Sequence, residues 1–372
     1  MKKILSLLIL FTISSSSFIQ AQRIREFGIK PGIMRTGPLN AITDVPGVLV
    51  GHTTLMKPGE MCTGVTVIMP HGGNIFQDKV PAAVHVGNGF GKLMGSTQIE
   101  ELGNIESPIV LTNTLNVPKM ADAVLDYLLN SHGNQGLRSV NPVVGETNDG
   151  YLNDIRARYV EAEHFFNAIR NASEDNIEEG CIGAGTGTIC FGYKGGIGTS
   201  SRIMSGDLEG YTVGVLVQTN FGGDLKVDGY PAGEYLRKNQ NPNKPQPSVD
   251  GSCMIVVATD APMDSRNLKR LAKRAMLGLA RTGGVASNGS GDYVIAFSTA
   301  PELREKYRSK EIKTGAPVLR NNRMSQFFQG VVEATEEAIL NSLFMATEVE
   351  GYLGHKVPLL PKNEIAKMIK DR

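Results

Sequence analysis

Apolar residues along this 372-residue chain fall into two periodicities. From 265 to 281, Leu268, Leu271, Ala272, Ala275 and Leu279 recur at the spacing of one helix face, with Asp264 ahead of them as an N-cap and Lys269, Arg270, Lys273 and Arg274 opposite. That stripe predicts an amphipathic helix whose charged side meets solvent. The same spacing predicts helices over 119–130 (Met120, Ala123, Val124, Leu128, Leu129), over 155–170 (Ile155, Tyr159, Ala162, Phe165, Phe166, Ile169) and over about 331–347. Runs rich in β-branched residues predict strands at 181–193, 211–219, 253–258 and 292–297, and short strands joined by glycine turns within 45–69. Residues 237–248 follow neither period. Pro242, Pro245 and Pro247 among polar fillers predict an exposed, extended linker that ends abruptly at the apolar run Met254-Ile255-Val256-Val257-Ala258. The pattern is that of a mixed α and β protein with strands on both sides of a mid-chain linker.

Charge narrows the function. Lys plus Arg number 38 against 37 Asp plus Glu, which gives no electrostatic reason to expect nucleic acid or an anionic membrane as partner. Glycine is in excess, 43 of 372 residues, so the backbone turns tightly or approaches something closely at many points. The first segment stands apart: Met1-Lys2-Lys3, the apolar Ile4 to Phe11, a serine run from Ser14 to Ser17, and Ile19-Gln20-Ala21 before Gln22. This reads as a signal peptide, residues 1–21, cleaved after Ala21, and makes the protein secreted or periplasmic, with no membrane contact after its removal. The four cysteines, Cys62, Cys181, Cys190 and Cys253, match no zinc spacing, and their spacings leave buried thiols and two disulfides equally open.

Several motifs fail on inspection. Gly87-Asn88-Gly89-Phe90-Gly91-Lys92 lacks both the first glycine and the Ser or Thr of a phosphate loop, and Gly183 to Thr188 lacks the last glycine of a dinucleotide fingerprint. Both read as close-packed turns. The histidines show no HExxH pair, and the serine at Asn288-Gly289-Ser290-Gly291 lacks the glycine of a nucleophile elbow.

Ser252 differs because of its position, between the linker and a buried strand. If the preceding peptide bond breaks, its own α-amine becomes a base beside its hydroxyl, which solves the problem of activating a weak alcohol. Gly251 before it tolerates the backbone that such an attack needs. Taken alone, Asp250-Gly251-Ser252 reads first as an ordinary turn, since Gly-Ser recurs at Gly95-Ser96 and Gly289-Ser290.

An ordered series of motifs carries the chain further: Gly47-Val48-Leu49-Val50-Gly51-His52-Thr53-Thr54, Leu111-Thr112-Asn113-Thr114, Val144-Gly145-Glu146-Thr147-Asn148-Asp149-Gly150, the glycine-rich Gly183 to Arg202, Gln218-Thr219-Asn220-Phe221-Gly222, Asp250-Gly251-Ser252, Ala258-Thr259-Asp260-Ala261-Pro262 and Ser287-Asn288-Gly289-Ser290-Gly291-Asp292. Over roughly Arg25 to Gly354 the chain resembles the DmpA-type N-terminal-nucleophile aminopeptidases, which include the L-aminopeptidase/D-esterases and β-peptidyl aminopeptidases of peptidase family S58. The resemblance implies an α+β fold, a four-layer αββα sandwich shared with ornithine acetyltransferases. It also implies autocleavage between Gly251 and Ser252 into an α chain of 22–251 and a β chain of 252–372 that form one catalytic domain, and a homo-oligomer, commonly a tetramer, of the processed units.

The resemblance implies Ser252 as nucleophile, Ser290 and Asp292 as the Ser-x-acid pair that moves protons around it, with Asp where some members have Glu, and Asn220 as oxyanion donor. Tyr151 is a candidate for the same pocket, or a packed aromatic at a helix start. Glu146, read as part of a polar loop before the 155–170 helix, is the candidate partner for a substrate ammonium, or else a structural hydrogen bond to a turn. No metal and no organic cofactor is implied. The resulting expectation is a self-processing serine aminopeptidase acting on short peptides, amino-acid amides or esters through an acyl-enzyme. The competing readings are an acyltransferase of the ornithine acetyltransferase type, and a secreted binding protein in which Asp250-Gly251-Ser252 is only a turn.

Overall fold

A computed structural model describes residues 21–175, 177–240, 251–312 and 315–371. The expected signal segment up to residue 20 and the proline-rich stretch from 241 lie outside these residues. Ten strands carry the architecture: β1 (Leu49–Lys57), β2 (Met61–Met69), β3 (Asp78–Gly89), β4 (Leu93–Met94), β5 (Ile109–Asn113), β6 (Val143–Thr147), β7 (Ile197–Ile203), β8 (Thr212–Asn220), β9 (Ser252–Thr259) and β10 (Gly291–Ser298). Four main helices accompany them: α1 (Val117–Asn130), α2 (Ala162–Arg170), α3 (Ser265–Arg281) and α4 (Ser325–Phe344).

The strands form two main sheets. One runs β1-β2-β5-β6-β4, and the other runs β7-β8-β9-β10-β3 with the short pieces 305–306 and 104–105 on β3. Neighbours are antiparallel except β5 with β6 and β9 with β10. Val50, Ile68, Leu111 and Val143 of the first sheet pack against Leu216, Met254, Val256, Ile295 and Phe297 of the second. The outer face of the first sheet is closed by α1 and α2 through Met120, Val124 and Phe165, and that of the second by α3 and α4 through Leu268, Leu271, Phe327 and Leu343. The layers are therefore αββα. This explains why β8 and β9 read as continuous apolar runs: each lies between a sheet and a helix layer and is buried on both faces.

The α3 expectation matches to the residue, with the Asp264 side chain accepting from Asn267 N–H at 2.8 Å. The other helices differ. Helix 155–170 begins only at Ala162, because Arg158 adopts φ +51° and residues 155–157 form a separate 3-10 turn. α4 starts at Ser325, six residues ahead of the start expected near 331, and is buried nearly all round, Glu333, Glu336 and Glu337 included. Those acids are paired with arginines: fully buried Arg202 of β7 reaches Glu333 Oε2 at 3.1 Å and Glu337 Oε2 at 2.8 Å, Arg25 of the N-terminal segment reaches both Glu337 oxygens, and Arg281 of α3 reaches Glu336 Oε2 at 2.7 Å. The expected 181–193 strand is instead a 3-10 turn at Gly183–Gly185 and a two-residue hairpin, 189–190 with 193–194. All four cysteines are free thiols, and burial pushes Cys62 and Cys190 up to about 12.

One glycine marks how closely the layers approach. A methyl group on Gly198 of β7 would meet the Ala338 carbonyl oxygen of α4 at 1.9 Å. Gly198→Ala is therefore expected to push α4 off the sheet and destabilise the fold by about 1–3 kcal/mol, the scale of core overpacking. Thermal or urea denaturation measures it, and an unchanged midpoint would contradict this packing.

Candidate active site

The parallel pair β9 and β10 starts at one end of the second sheet, where antiparallel β8 finishes. Register sets Ser252 opposite Asn220 on one side and Gly291 on the other, with Gly291 opposite Gly89 of β3. The sheet thus delivers the last residues of two strands and the first of two others to one edge. A cleft of about 480 Å³ opens there, and its walls include Gly251, Ser252, Asn220, Glu146, Tyr151, Thr114 and Lys92.

Gly251 has φ +153°, and a Cβ at this position would meet the Asn220 carbonyl oxygen at 2.1 Å. No other residue fits without moving β8. The Gly291 N–H donates to the Gly251 carbonyl oxygen at 3.1 Å and approaches Ser252 Oγ at 3.2 Å. One backbone donor therefore touches both the hydroxyl and the oxygen of the peptide bond before it. Asn220 accepts from Ile189 N–H at 2.9 Å through Oδ1, which fixes the amide and turns its Nδ2 donor end away from that bond. The loop bearing Ile189 is itself held by Lys194, a fully buried ammonium that donates to the carbonyls of Gly185, Thr188 and Gly195 at 3.1, 2.9 and 2.8 Å.

Glu146 is a correction to the sequence reading: it sits within strand β6, not in a loop, and is only 3% exposed. Lys92 N–H donates to its Oε1 at 3.0 Å and the Thr114 hydroxyl to its Oε2. The signal was hidden because Glu-Thr-Asn-Asp-Gly is a polar string, and only the parallel register with β5 makes its first two residues strand. Tyr151 is half exposed at the rim, and its ring stacks on His355 at 4.5 Å between centroids. It is not a packed aromatic at a helix start.

Ser290 and Asp292 are buried beside the cleft and do not line it. By strand alternation Asp292 shares the helix-layer face of β10 with Val294 and Ala296, whereas Ser252 shares the inter-sheet face of β9 with Met254. Burial raises the Asp292 carboxyl to about 6. The Ser290 hydroxyl and the Cys253 N–H pull it the other way, but neither closes on a carboxylate oxygen at hydrogen-bond geometry, so both oxygens are without a partner. Asn88 of β3, read from the sequence only as part of a close-packed turn, clamps the Ser290 turn by donating to the carbonyls of Ser287 at 2.9 Å, Asn288 at 3.2 Å and Ser290. Gly291 and Thr114 lay inside quoted motifs, but nothing in their spacing distinguished them from their neighbours.

A serine opening a central strand of an αββα sandwich, in a cleft with a fixed amide donor and a buried acid behind it, defines a hydrolase of the N-terminal-nucleophile fold. Known proteins agree. The profile of peptidase family S58 matches residues 40–357. A beta-peptidyl aminopeptidase, BapA, of Sphingosinicella microcystinivorans is 38% identical over 96% of this chain and 94% of its own. Among solved structures, the PH0078 protein of Pyrococcus horikoshii OT3 has 46% identity and TM-score 0.88 over 94% of this chain and 99% of its own. The L-aminopeptidase D-Ala-esterase/amidase of Ochrobactrum anthropi, described as a prototype serine aminopeptidase and a variant of the Ntn-hydrolase fold, has 32% identity and TM-score 0.86 over 94% and 98%. The chain belongs to peptidase family S58, and it is a hydrolase of the aminopeptidase class.

Proposed function

We propose that the chain cuts itself between Gly251 and Ser252 and that Ser252, as the new terminus, then removes N-terminal residues from short peptides, amino-acid amides or esters. The observation that carries this reading is the shared Gly291 N–H, which draws the Ser252 hydroxyl and the Gly251 carbonyl oxygen to one point. In processing, Ser252 Oγ attacks the Gly251 carbonyl carbon, the C–N bond breaks, the Ser252 nitrogen takes the proton, and an ester replaces the amide. Water then hydrolyses that ester, leaving a Gly251 carboxylate and a free Ser252 α-amine.

In turnover, that amine accepts the hydroxyl proton as Oγ attacks the substrate carbonyl, and later returns it to the leaving amine. The Asn220 Nδ2 and the Gly291 N–H are suited to the oxyanion. Asp292, whose carboxyl lies against the Cys253 N–H one residue beyond the new terminus, is suited to hold the ammonium form of that amine. Glu146 pairs with the substrate's own ammonium and so sets exopeptidase register. The name of the Sphingosinicella relative brings β-aminoacyl groups into the substrate class, and small first residues are the expected preference. The leader and the homo-oligomer of processed units belong to the same proposal.

Intact-mass measurement and denaturing electrophoresis of the purified protein test it. The expected result is two fragments, the smaller beginning at Ser252, together with hydrolysis of amino-acid p-nitroanilides; a single chain without hydrolysis overturns it. In the processed enzyme, Asn220→Ala is expected to lower kcat by about 10²- to 10³-fold, the range for loss of one oxyanion donor. Steady-state kinetics check this, and a loss confined to KM would remove Asn220 from that role.

A further inference from the structure

Among the described residues lining the cleft, Lys92 and Glu146 carry the only formal charges. Glu146 is nearly buried and held at both oxygens, by the Lys92 N–H at 3.0 Å and by the Thr114 hydroxyl. Lys92 addresses the same carboxylate twice. Its backbone donates, while its Nζ stands 3.8 Å from Oε1, inside ion-pair range but too far for a hydrogen bond, on a side chain that is 57% exposed. Among the described residues Nζ makes no hydrogen bond, so its three donors are available over the cleft.

This arrangement sets a condition on substrates. An N-terminal ammonium that docks on Glu146 comes within a few ångströms of the Lys92 ammonium, and two cations on one carboxylate repel unless an anion lies between them. In an ordinary substrate the carboxylate of the first residue is consumed in the peptide bond. A residue linked through its side-chain carboxyl keeps its α-carboxylate free, on the carbon that bears the nitrogen. Glu146, substrate ammonium, substrate carboxylate and Lys92 then alternate in sign.

We propose that Lys92 is a specificity residue which makes the cleft a receptor for zwitterionic first residues, β-linked aspartyl groups foremost. A β-aspartyl group has the same chain of atoms between nitrogen and scissile carbonyl as a β-alanyl group. It differs from β-alanyl only by the added carboxylate that Lys92 would bind. The reaction is the aminopeptidase cycle above, on which this inference rests. Ser252 Oγ forms an ester with the β-carbonyl carbon, the peptide C–N bond breaks, the leaving amine takes the proton, and water releases aspartate.

The test is a matched pair of dipeptides, β-aspartyl-leucine and β-alanyl-leucine, with processed wild-type, Lys92→Met and Lys92→Arg enzymes. The wild type is expected to show kcat/KM for β-aspartyl-leucine at least equal to that for β-alanyl-leucine. In Lys92→Met the ratio of the two is expected to fall roughly 10- to 100-fold, the scale of a charge-assisted hydrogen bond, and in Lys92→Arg to be retained. A ratio unchanged in Lys92→Met overturns the proposal, as does cleavage of β-alanyl-leucine alone by the wild type. Failure of both dipeptides in an enzyme that still hydrolyses amino-acid p-nitroanilides overturns this proposal alone, whereas failure of all three substrates in a processed enzyme overturns the aminopeptidase reading as well, so the two failures are distinguishable.

Discussion

Ser252→Ala is expected to give one full-length polypeptide and a loss of aminopeptidase rate of at least about 10⁴-fold, since both the attacking atom and the terminus that activates it disappear together. Removing a serine nucleophile in other hydrolases costs up to about 10⁶-fold, and here Gly251 would remain bonded to residue 252 in the wall of the cleft as well. Ser252 is 7% exposed, and the Gly291 N–H that donates to its hydroxyl keeps the Gly251 carbonyl oxygen as acceptor when the hydroxyl is removed, so circular dichroism and the melting midpoint should stay near wild type. Intact mass reads processing and p-nitroanilide hydrolysis reads turnover. Two fragments from Ser252→Ala would place the scission elsewhere and end the proposed mechanism. Ser252→Cys is the conservative companion, expected to keep processing because a thiol also performs the acyl shift.

Asp292→Asn is expected to lower kcat of processed enzyme by about 10²- to 10⁴-fold, the range for losing a group that manages a proton, and it also carries a stability signature. In the uncut chain the Asp292 carboxyl is buried, without a partner, and raised from 3.8 to about 6. A carboxyl raised in the folded state favours folding while protonated, and that contribution is lost as pH climbs from about 4 through about 6. Two pKa units correspond to about 3 kcal/mol. Compared in a Ser252→Ala background, which stays uncut, the parent should therefore lose about 2–3 kcal/mol more unfolding free energy between pH 4 and pH 8 than its Asp292→Asn derivative. Urea denaturation at the two pH values measures the difference. In processed wild type the Ser252 ammonium close by should pull the carboxyl down and shrink the effect. Equal pH dependence in the Ser252→Ala parent and its derivative would show that the carboxylate is solvated.

Much of this was legible in the chain. The α3 stripe and its Asp264 cap settled that helix, and the Met254 to Ala258 run located β9 to within two residues, because burial on both faces leaves a continuous apolar signature. What escaped is the sheet chemistry around the cleft. β3 ends in Val-Gly-Asn-Gly, and β6 ends in Glu-Thr; their pairing is visible only once β10 and β5 supply the register. The glycine-rich 183–196 region misled for a related reason. Its β-branched residues suggest a strand, yet Gly185 and Gly196 are so close to neighbouring backbone, 2.3 Å from Ile197 N and 2.1 Å from the Gly180 carbonyl for an added methyl, that the chain turns instead. The motif series named the catalytic candidates, but neither it nor the failed phosphate loop gave Lys92, Asn88 or Lys194 a role of its own. Each acts through a contact between residues far apart in the chain or through a buried cation bonded to backbone carbonyls.

The strand order of the second sheet has a consequence for the two fragments that the proposed cut would leave. β9 and β10 come from the C-terminal piece, yet they lie between β8 and β3 of the N-terminal piece, like two fingers of one hand laced between those of another. Once the Gly251–Ser252 bond is cut, the halves still share the second sheet and the apolar clusters on both of its faces, and are expected to stay associated while folded. Complete unfolding, however, releases two separate chains. Refolding then becomes a second-order encounter that dilution slows, so a molecule born as a monomer would behave in renaturation as an obligate heterodimer.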